Sequence, residues 1–173
     1  LRYVNLWPQP IQKPRPPVWV PGLGSIETWD FCVDHDYNYS YLSFSGYKRA
    51  QKMMDGYWER RRARNVEDNP YSAAFFQQIC ISDTDASCER EWWPHVNYFF
   101  NNCLHLYPGM SGAPGYMTEA SMRAGVVSQV GNTSGNMGMD KTWKELVEQR
   151  YIVAGSPETV RQQLEELGRS LRV

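Results

Sequence analysis

Seven residues near the N-terminus, GLGSIET at positions 22–28, have the residue types that bind an anion. Glycines such as Gly22 and Gly24 let a ligand approach the backbone closely, and Ser25 and Thr28 offer hydroxyl groups. Ser25 is also a good N-cap, so a helix is predicted to begin here, and the N–H groups and dipole of a helix N-terminus attract phosphate. Two interpretations stay open: a phosphate site, or an ordinary turn between a strand and a helix. The pattern by itself favours the ordinary turn.

A second helix start, GSPET at positions 155–159, repeats this arrangement. Ser156 is a good N-cap, and Pro157 suits the first helical position because the N–H that proline lacks would be unpaired there in any case. The pattern therefore predicts a capped helix, with anion binding as the less favoured alternative.

Three histidines, His35, His95 and His105, are the side chains that could act as a general base near neutral pH. His35 lies between two aspartates where a helix gives way to a strand, and the other two lie in a segment rich in aromatic residues. These surroundings favour packing or surface positions for all three, so no catalytic residue is assigned.

The composition limits the class of protein. The 173 residues are 42% hydrophobic and 21% charged, with a net charge of −1, which is typical of a globular domain with one core. Binding to nucleic acid or to a membrane surface needs a basic footprint, so neither partner is expected. The arginines at 60–62 and 64 are interpreted as a solvated helix end, where cations complement the helix dipole.

Four cysteines, Cys32, Cys80, Cys88 and Cys103, lie among apolar or aromatic neighbours and lack the spacing of a zinc site. We interpret them as buried free thiols in a reducing cytoplasm, with a disulfide pair as the open alternative. No stretch reaches the length of a membrane span, and the first ten residues do not resemble a signal peptide.

Strands alternate with helices along the chain. The predicted order is strand, helix, strand, helix, strand, helix, long loop, helix, helix, with strands at 17–22, 37–45 and 69–82. The first strand is predicted to be buried on both faces, and Pro94 to break or kink the third helix. The Gly- and Met-rich residues 108–139 are predicted to form a long loop or lid.

This alternation is typical of an α/β fold with parallel strands. Two architectures fit it: a doubly wound open sheet, or part of a (β/α)8 barrel. A complete barrel needs eight units and about 250 residues, so three clear units within 173 residues are too few for one.

Three motifs in order resemble the luciferase-like monooxygenase family. They are the proline-spaced segment Pro8–Pro17 before a strand, the small-residue loop Gly22–Ser25, and the helix start Gly155–Val160. Each motif alone is weak evidence for the family, but the occurrence of all three in this order is more specific. The resemblance covers nearly the whole chain and is weakest in its Gly- and Met-rich middle.

The resemblance implies a (β/α)8 TIM barrel of which residues 1–173 are a single domain, the C-terminal portion. It implies FMN as the cofactor, with deazaflavin F420 as the alternative and a reduced nicotinamide as a candidate electron source. It also assigns flavin-phosphate binding to Gly22, Gly24, Ser25 and, less directly, Thr28. Glu27 argues against this assignment, because a carboxylate beside a phosphate is repelled by it.

Within such a barrel, Tyr41 and Ser43 are the candidates for substrate binding. They lie near the C-terminal end of a predicted strand, where the active sites of barrels form. Which of them points inward depends on the strand register, which the sequence leaves open.

Two functions follow from the resemblance. The first is a flavin-dependent monooxygenase that uses reduced flavin and O2 on an apolar small molecule, with this chain as a fragment of it. The second is a non-catalytic flavin-binding or structural remnant of the same fold. A homodimer, or association with the rest of the barrel, is expected as the protein partner.

Overall fold

A computed structural model describes residues 7–104, 118–120, 123 and 140–173. The predicted loop at 108–139 therefore lies almost entirely outside the described residues. The strands are Trp19–Gly22 (β1), Asn38–Leu42 (β2), Ala73–Phe76 (β3), Gln78–Ile81 (β4) and Ile152–Gly155 (β5). The α-helices are Ile26–Asp34 (α1), Tyr47–Ala63 (α2), Asp85–Tyr98 (α3), Trp143–Glu148 (α4) and Pro157–Leu171 (α5).

All strand pairs in the described part of the chain are parallel, which confirms the predicted α/β class. β1, β2 and β3 form one sheet in that order, and β4 pairs with β5. Helix α1 connects β1 to β2 and α2 connects β2 to β3, as parallel pairing requires, and α3 and α4 both lie between β4 and β5 along the chain. The described strands form two parallel sheets, and they do not close into a barrel.

The strands β3 and β4 are one run of chain, separated only by Gln77. The carbonyl of Phe76 accepts a hydrogen bond from the Ser43 N–H, and the Ser82 N–H donates to the Gly155 carbonyl. Alternate residues of a strand direct their N–H and C=O groups to opposite edges. Phe76 and Ser82 are both even-numbered, so the same edge of the run pairs first with β2 and then with β5. The predicted third strand is therefore confirmed at this position, but it forms two strands, β3 and β4, which pair with β2 and β5 respectively.

β5 lies between the last two predicted helices, where no strand is predicted, and it is buried along its whole length. Ile152 and Ala154 pack in the cluster formed by α3 and α4, whereas Val153 packs against α5. A strand covered on both sides reads as a continuous apolar run. A run of only four apolar residues between two helices does not distinguish a buried strand from a loop.

The outer edge of β5 is closed by a side chain. The amide of Gln163 on α5 accepts from the Ala154 N–H at 3.3 Å and donates to the Ala154 carbonyl at 2.9 Å. Gln163 is 7% exposed, so these backbone groups are shielded from water and need the partner that the amide provides.

The prediction that the first strand is buried on both faces is wrong. Exposed and half-buried residues alternate along β1, and Trp19 is 46% exposed. Within the described residues β1 pairs only with β2, so one of its edges lacks a neighbouring strand.

Helix α2 holds the first half of the fold together. Its predicted apolar face is confirmed, because Ala50, Met54, Tyr57 and Trp58 are buried. The Trp58 indole donates to the Leu171 carbonyl at 3.0 Å, which ties α2 to the end of α5.

The arginines near the end of α2 also join elements. Arg60 and Arg64 pair with Asp30 on α1, each at 2.9 Å. Arg61 is 8% exposed and donates to the Glu67 carbonyl. The interpretation of this cluster as a solvated helix end is therefore wrong for Arg61.

Helix α3 continues through Pro94, so of the predicted break or kink the break is wrong, and the kink stays a prediction. Its N-cap is Thr84, and a π-helical turn at Phe99–Cys103 follows the last α-helical residue. Pro94 lies on the exposed side of the helix, where water can satisfy the carbonyl that proline leaves unpaired.

All four cysteines are free thiols, but they differ in exposure. Cys32, Cys80 and Cys88 are buried as predicted, and burial raises the pKa of the Cys32 and Cys80 thiols to about 11. Cys103 is exposed, which corrects the prediction for that residue. Among the described helices, none is both long and apolar enough to cross a membrane.

We expect Gln163→Leu to destabilise the protein by about 2 kcal/mol, because it leaves the buried Ala154 N–H and carbonyl without partners. The measurement is urea unfolding followed by circular dichroism. Gln162→Leu is the matched control: this neighbouring glutamine is exposed, so its loss is expected to cost less than about 0.5 kcal/mol. Equal effects of the two substitutions would contradict the role of Gln163 at the strand edge.

Candidate functional site: two helix starts

The first helix start joins β1 to α1. Ser25 is the N-cap, as predicted, and its hydroxyl accepts from the Thr28 N–H at 3.3 Å. The same hydroxyl lies 2.6 Å from the Thr28 hydroxyl. Both side chains are half-buried. The structure therefore brings two hydroxyl groups together at the positive end of a helix dipole.

The two glycines of this turn have structural reasons to be there. Gly24 has a φ of +105°, and a Cβ at that position would lie 2.1 Å from the Met53 sulfur. A Cβ on Gly22 would lie 3.1 Å from the Tyr39 ring. Packing and backbone conformation thus account for both glycines, and a ligand is not needed to explain them.

Glu27 lies in the first turn of α1 and is exposed. Its carboxylate accepts a hydrogen bond from the Thr118 hydroxyl. The Glu27 charge, which opposes phosphate binding, is therefore present at this helix start, and its hydrogen-bond donor Thr118 is neutral.

Tyr41 and Ser43 are buried, with 1% and 2% exposure. Tyr41 belongs to the core cluster packed against α1 and α2. Burial raises its pKa to about 12, and Arg49 opposes that rise. The register of β2 thus turns Tyr41 toward the helices, and substrate binding by these two residues stays a prediction.

The opposite face of β2 carries Ser40 and Leu42, which are half-buried. Neither residue is among the candidates that the sequence predicts. Strand alternation could have identified them, because Tyr39 and Tyr41 are the two large aromatic residues of β2 and so favour the helix-covered face.

The second helix start, at α5, already holds an anion from the chain itself. Ser156 caps the helix through the Thr159 N–H at 3.3 Å. The Asp85 carboxylate accepts from the Ser156 N–H at 2.6 Å and from the Thr159 hydroxyl at 3.2 Å. A carboxylate in this position satisfies the helix N-terminus as a phosphate would, which explains why the capped-helix interpretation holds here.

The histidines do not converge on either helix start. The His35 Nδ1 lies 3.1 Å from the Phe31 carbonyl at the end of α1, and His95 lies on the exposed side of α3. His105 lies outside the described residues. In the portion of the chain that the structure covers, no cluster of three or more His, Cys, Asp or Glu side chains could hold a metal ion.

The fold and these helix starts define a class of protein: a parallel β/α protein with polar caps at the carboxyl ends of its strands. The chain belongs to the luciferase-like monooxygenase family, which it matches over residues 2–172. The resemblance of the three motifs is thereby confirmed. No curated protein sequence matches the chain significantly.

Solved structures agree on the fold. The oxygenating constituent of 3,6-diketocamphane monooxygenase from Pseudomonas putida, in complex with FMN, is 17% identical with a TM-score of 0.58, covering 91% of this chain and 40% of that one. Monooxygenase RslO1 from Streptomyces bottropensis is 11% identical with a TM-score of 0.57, covering 92% and 39%. Apo-MsnO8 is 18% identical with a TM-score of 0.55, covering 98% and 46%. The chain therefore spans less than half the length of each.

We expect Asp85→Asn to lower the stability of α5 near pH 7 by about 0.5 kcal/mol, since solvent screens this exposed carboxylate. The hydrogen bonds from Ser156 and Thr159 lower the pKa of Asp85. Its contribution is therefore present above the unfolded-state pKa of about 4 and is lost as the pH falls through the lower folded-state value.

The measurement is the melting temperature of Asp85→Asn and of the parent between pH 7 and pH 2, with Asp83→Asn as the control. The difference between parent and variant should shrink below about pH 4. A difference that is constant across the range, or equal in the control, would show that the carboxylate charge does not stabilise this helix start.

Proposed function

We propose that this chain is part of a flavin-dependent monooxygenase and that the start of α1 holds the phosphate of FMN. The observation that carries the proposal is the pair of hydroxyl groups, Ser25 and Thr28, 2.6 Å apart at this helix N-terminus. Membership of the luciferase-like monooxygenase family supports the flavin. One protein of similar fold is solved in complex with FMN.

The residues at the start of α1 fit a phosphate group. The helix has nine residues, and its first-turn N–H groups lack partners within the helix. The Ser25 and Thr28 hydroxyls can turn their hydrogens toward an anion instead of toward each other. Gly22 and Gly24 complete the turn and allow close approach, although packing alone already requires them.

The second helix start does not compete for the phosphate, because Asp85 occupies it. A carboxylate 2.6 Å from the Ser156 N–H repels a second anion. The two helix starts therefore divide the roles: Ser156 begins a structural helix, whereas Ser25 begins the helix that we assign to the cofactor.

When bound, reduced flavin supplies two electrons to O2, so that one oxygen atom enters the substrate and the other leaves as water. The part of the protein described here would position the cofactor through its phosphate. Deazaflavin F420 is the alternative cofactor, and a reduced nicotinamide is a candidate electron source. An apolar small molecule is the proposed substrate, with Tyr41 and Ser43 as its proposed contacts.

Contact with Tyr41 requires movement of the chain. The side chain lies under α1 and α2 with 1% exposure, so a substrate can reach it only if those helices shift. For Ser43 the same burial applies. A cytoplasmic location, and association with the rest of the barrel, complete the proposal.

The second candidate function is a non-catalytic flavin-binding or structural remnant. The observation that favours it is the burial of the two proposed substrate contacts, since Tyr41 and Ser43 are only 1% and 2% exposed. One experiment separates the monooxygenase from the remnant: the chain is given reduced FMN, ¹⁸O-labelled O2 and an apolar ketone or aldehyde, and ¹⁸O is measured in the product. Flavin binding without labelled product favours the remnant.

We expect Ser25→Ala with Thr28→Val to weaken FMN binding by about tenfold or more, because both hydroxyl donors to the phosphate are removed. Riboflavin, which lacks the phosphate, should bind the parent and the variant equally. The measurement is quenching of flavin fluorescence during titration with protein. Gly24→Ala is unsuitable here, because its Cβ would collide with Met53.

Ser156→Ala is the matched control, since it removes the corresponding cap at the other helix start without touching the proposed site. It should leave FMN affinity unchanged. Circular dichroism checks that each variant keeps its helices. If the double variant binds FMN like the parent, or the parent binds riboflavin as tightly as FMN, the phosphate does not lie at α1.

A further inference from the structure

Helix α2 begins in a way that α1, α3, α4 and α5 do not. Those four helices have a serine or threonine N-cap and an acidic residue in the first turn. The N-cap of α2 is Gly46, no described side chain caps the helix, and its first turn has no acidic residue. Lys48 and Arg49 lie there instead. Cations at a helix N-terminus add to the positive end of the dipole, so this start attracts an anion.

Two backbone N–H groups at the start of α2 are available to a ligand. The Tyr47 N–H is already used, because it donates to the Gln149 carbonyl at 2.7 Å. The N–H groups of Lys48 and Arg49 belong to the first turn, where the helix itself supplies no acceptor. No acceptor for either group lies among the residues whose positions are described.

Arg49 is a half-buried cation that forms no ion pair with a carboxylate of the described residues. Arg61 and Arg169 also lack a carboxylate, but they donate to backbone carbonyls. The groups beside Arg49 are the phenols of Tyr41 and Tyr151. Burial raises the pKa of both phenols, and the Arg49 charge opposes each rise. The guanidinium therefore lies among neutral groups that leave its positive charge unmatched.

Lys141 brings a second half-buried cation to the same place. Its Nζ lies 5.3 Å from the centre of the Tyr151 ring. That ring packs on the start of α2, since a Cβ on Gly46 would lie 2.8 Å from it. The Glu145 carboxylate lies close enough for the Lys141 charge to lower its pKa, but the hydrogen bonds from Thr142 contribute more to that shift. Glu145 is thus engaged at the start of α4.

A buried hydroxyl lies on the same side of β2. Ser43 is 2% exposed, and its hydroxyl forms no hydrogen bond within the described part of the chain. Strand alternation places it on the side of Tyr41, one of the neighbours of Arg49. Buried polar groups are nearly always hydrogen-bonded, so the Ser43 hydroxyl requires a partner from outside the described residues.

We infer that the start of α2 binds an oxyanion, the carboxylate or phosphate group of a small molecule, between Arg49 and Lys141. The planar guanidinium of Arg49 offers paired N–H donors that match two oxygen atoms of such a group. The N–H groups of Lys48 and Arg49 add donors at the helix N-terminus, and the Ser43 hydroxyl supplies another. Lys141 contributes a second positive charge.

This site lies at the same end of the sheet as the start of α1. Gly46 follows the carboxyl end of β2, and Ser25 follows the carboxyl end of β1, which is parallel to β2 and paired with it. Ligand sites of barrels form at that end. The inference goes beyond the proposed function, because it adds an acidic group to the apolar substrate. It does not depend on flavin binding at α1, since oxyanion binding at α2 can be measured without flavin.

The test is a titration of the ¹⁵N-labelled chain with sodium acetate and, separately, with sodium phosphate, at pH 7 and constant ionic strength. The amide signals of Lys48 and Arg49 are followed by NMR. We expect both signals to shift and to saturate. Acetate is the stronger probe if the natural ligand carries a carboxylate, and phosphate is the stronger probe if it carries a phosphate.

Two variants remove one charge each from the site. Arg49→Gln and Lys141→Gln should each raise the dissociation constant of the stronger probe by about fivefold or more. Arg90→Gln is the matched control, because it removes the same charge from a side chain of α3 that is 72% exposed. It should leave the dissociation constant unchanged. Circular dichroism checks that each variant keeps its helices.

Three results would overturn the inference. The first is the absence of a saturable shift at Lys48 and Arg49 with either anion. The second is a dissociation constant that neither Arg49→Gln nor Lys141→Gln raises. The third is a phosphate response confined to the amides of residues 25–28, which would place the anion at α1 alone and leave the proposed FMN site standing.

Discussion

The architecture depends on the backbone hydrogen bonds along one edge of residues 73–81. That single run pairs with β2 through its first half and with β5 through its second half. It thereby joins parts of the chain more than 100 residues apart, and it places β5 beyond the end of β2. The segment that follows β2 also contacts the segment that precedes β5 directly, because the Tyr47 N–H donates to the Gln149 carbonyl at 2.7 Å. Helix α5 then closes the outer edge of β5 through Gln163.

The two helix starts show how one local device takes different roles. Each has a serine N-cap and a threonine three residues later, and each serine accepts from the N–H of that threonine. At α5 the Asp85 carboxylate fills the position that an anion would take. The serine and threonine hydroxyls bond to each other at both starts, 2.6 Å apart at α1 and 3.0 Å apart at α5. What distinguishes them is the nearby carboxylate at α5, which arrives from α3, a helix that lies far away along the chain.

Much of the local structure could be predicted from the sequence. Alternation of strands and helices, the caps at Ser25 and Ser156, and the apolar face of α2 all follow from short-range patterns. The family could also be recognised, because its motifs occur in order. The site was harder to predict: the glycines at 22 and 24 suggested a ligand, yet Met53 and Tyr39 account for them. Nothing in the sequence marks those two contacts, since they come from α2 and β2.

The sequence by itself determined the types of most elements, the two helix starts and the family, because caps, turns and hydrophobic periodicity act over a few residues. Only the tertiary structure decided which face of β2 carries Tyr41, and that the Asp85 carboxylate binds the start of α5. It also decided that β2 and β5 pair with the same edge of residues 73–81. Each of these is a contact between residues distant in sequence. The physical reason is that strand register and edge pairing are set by which surfaces can be buried together, and a one-residue shift in register reverses every side chain.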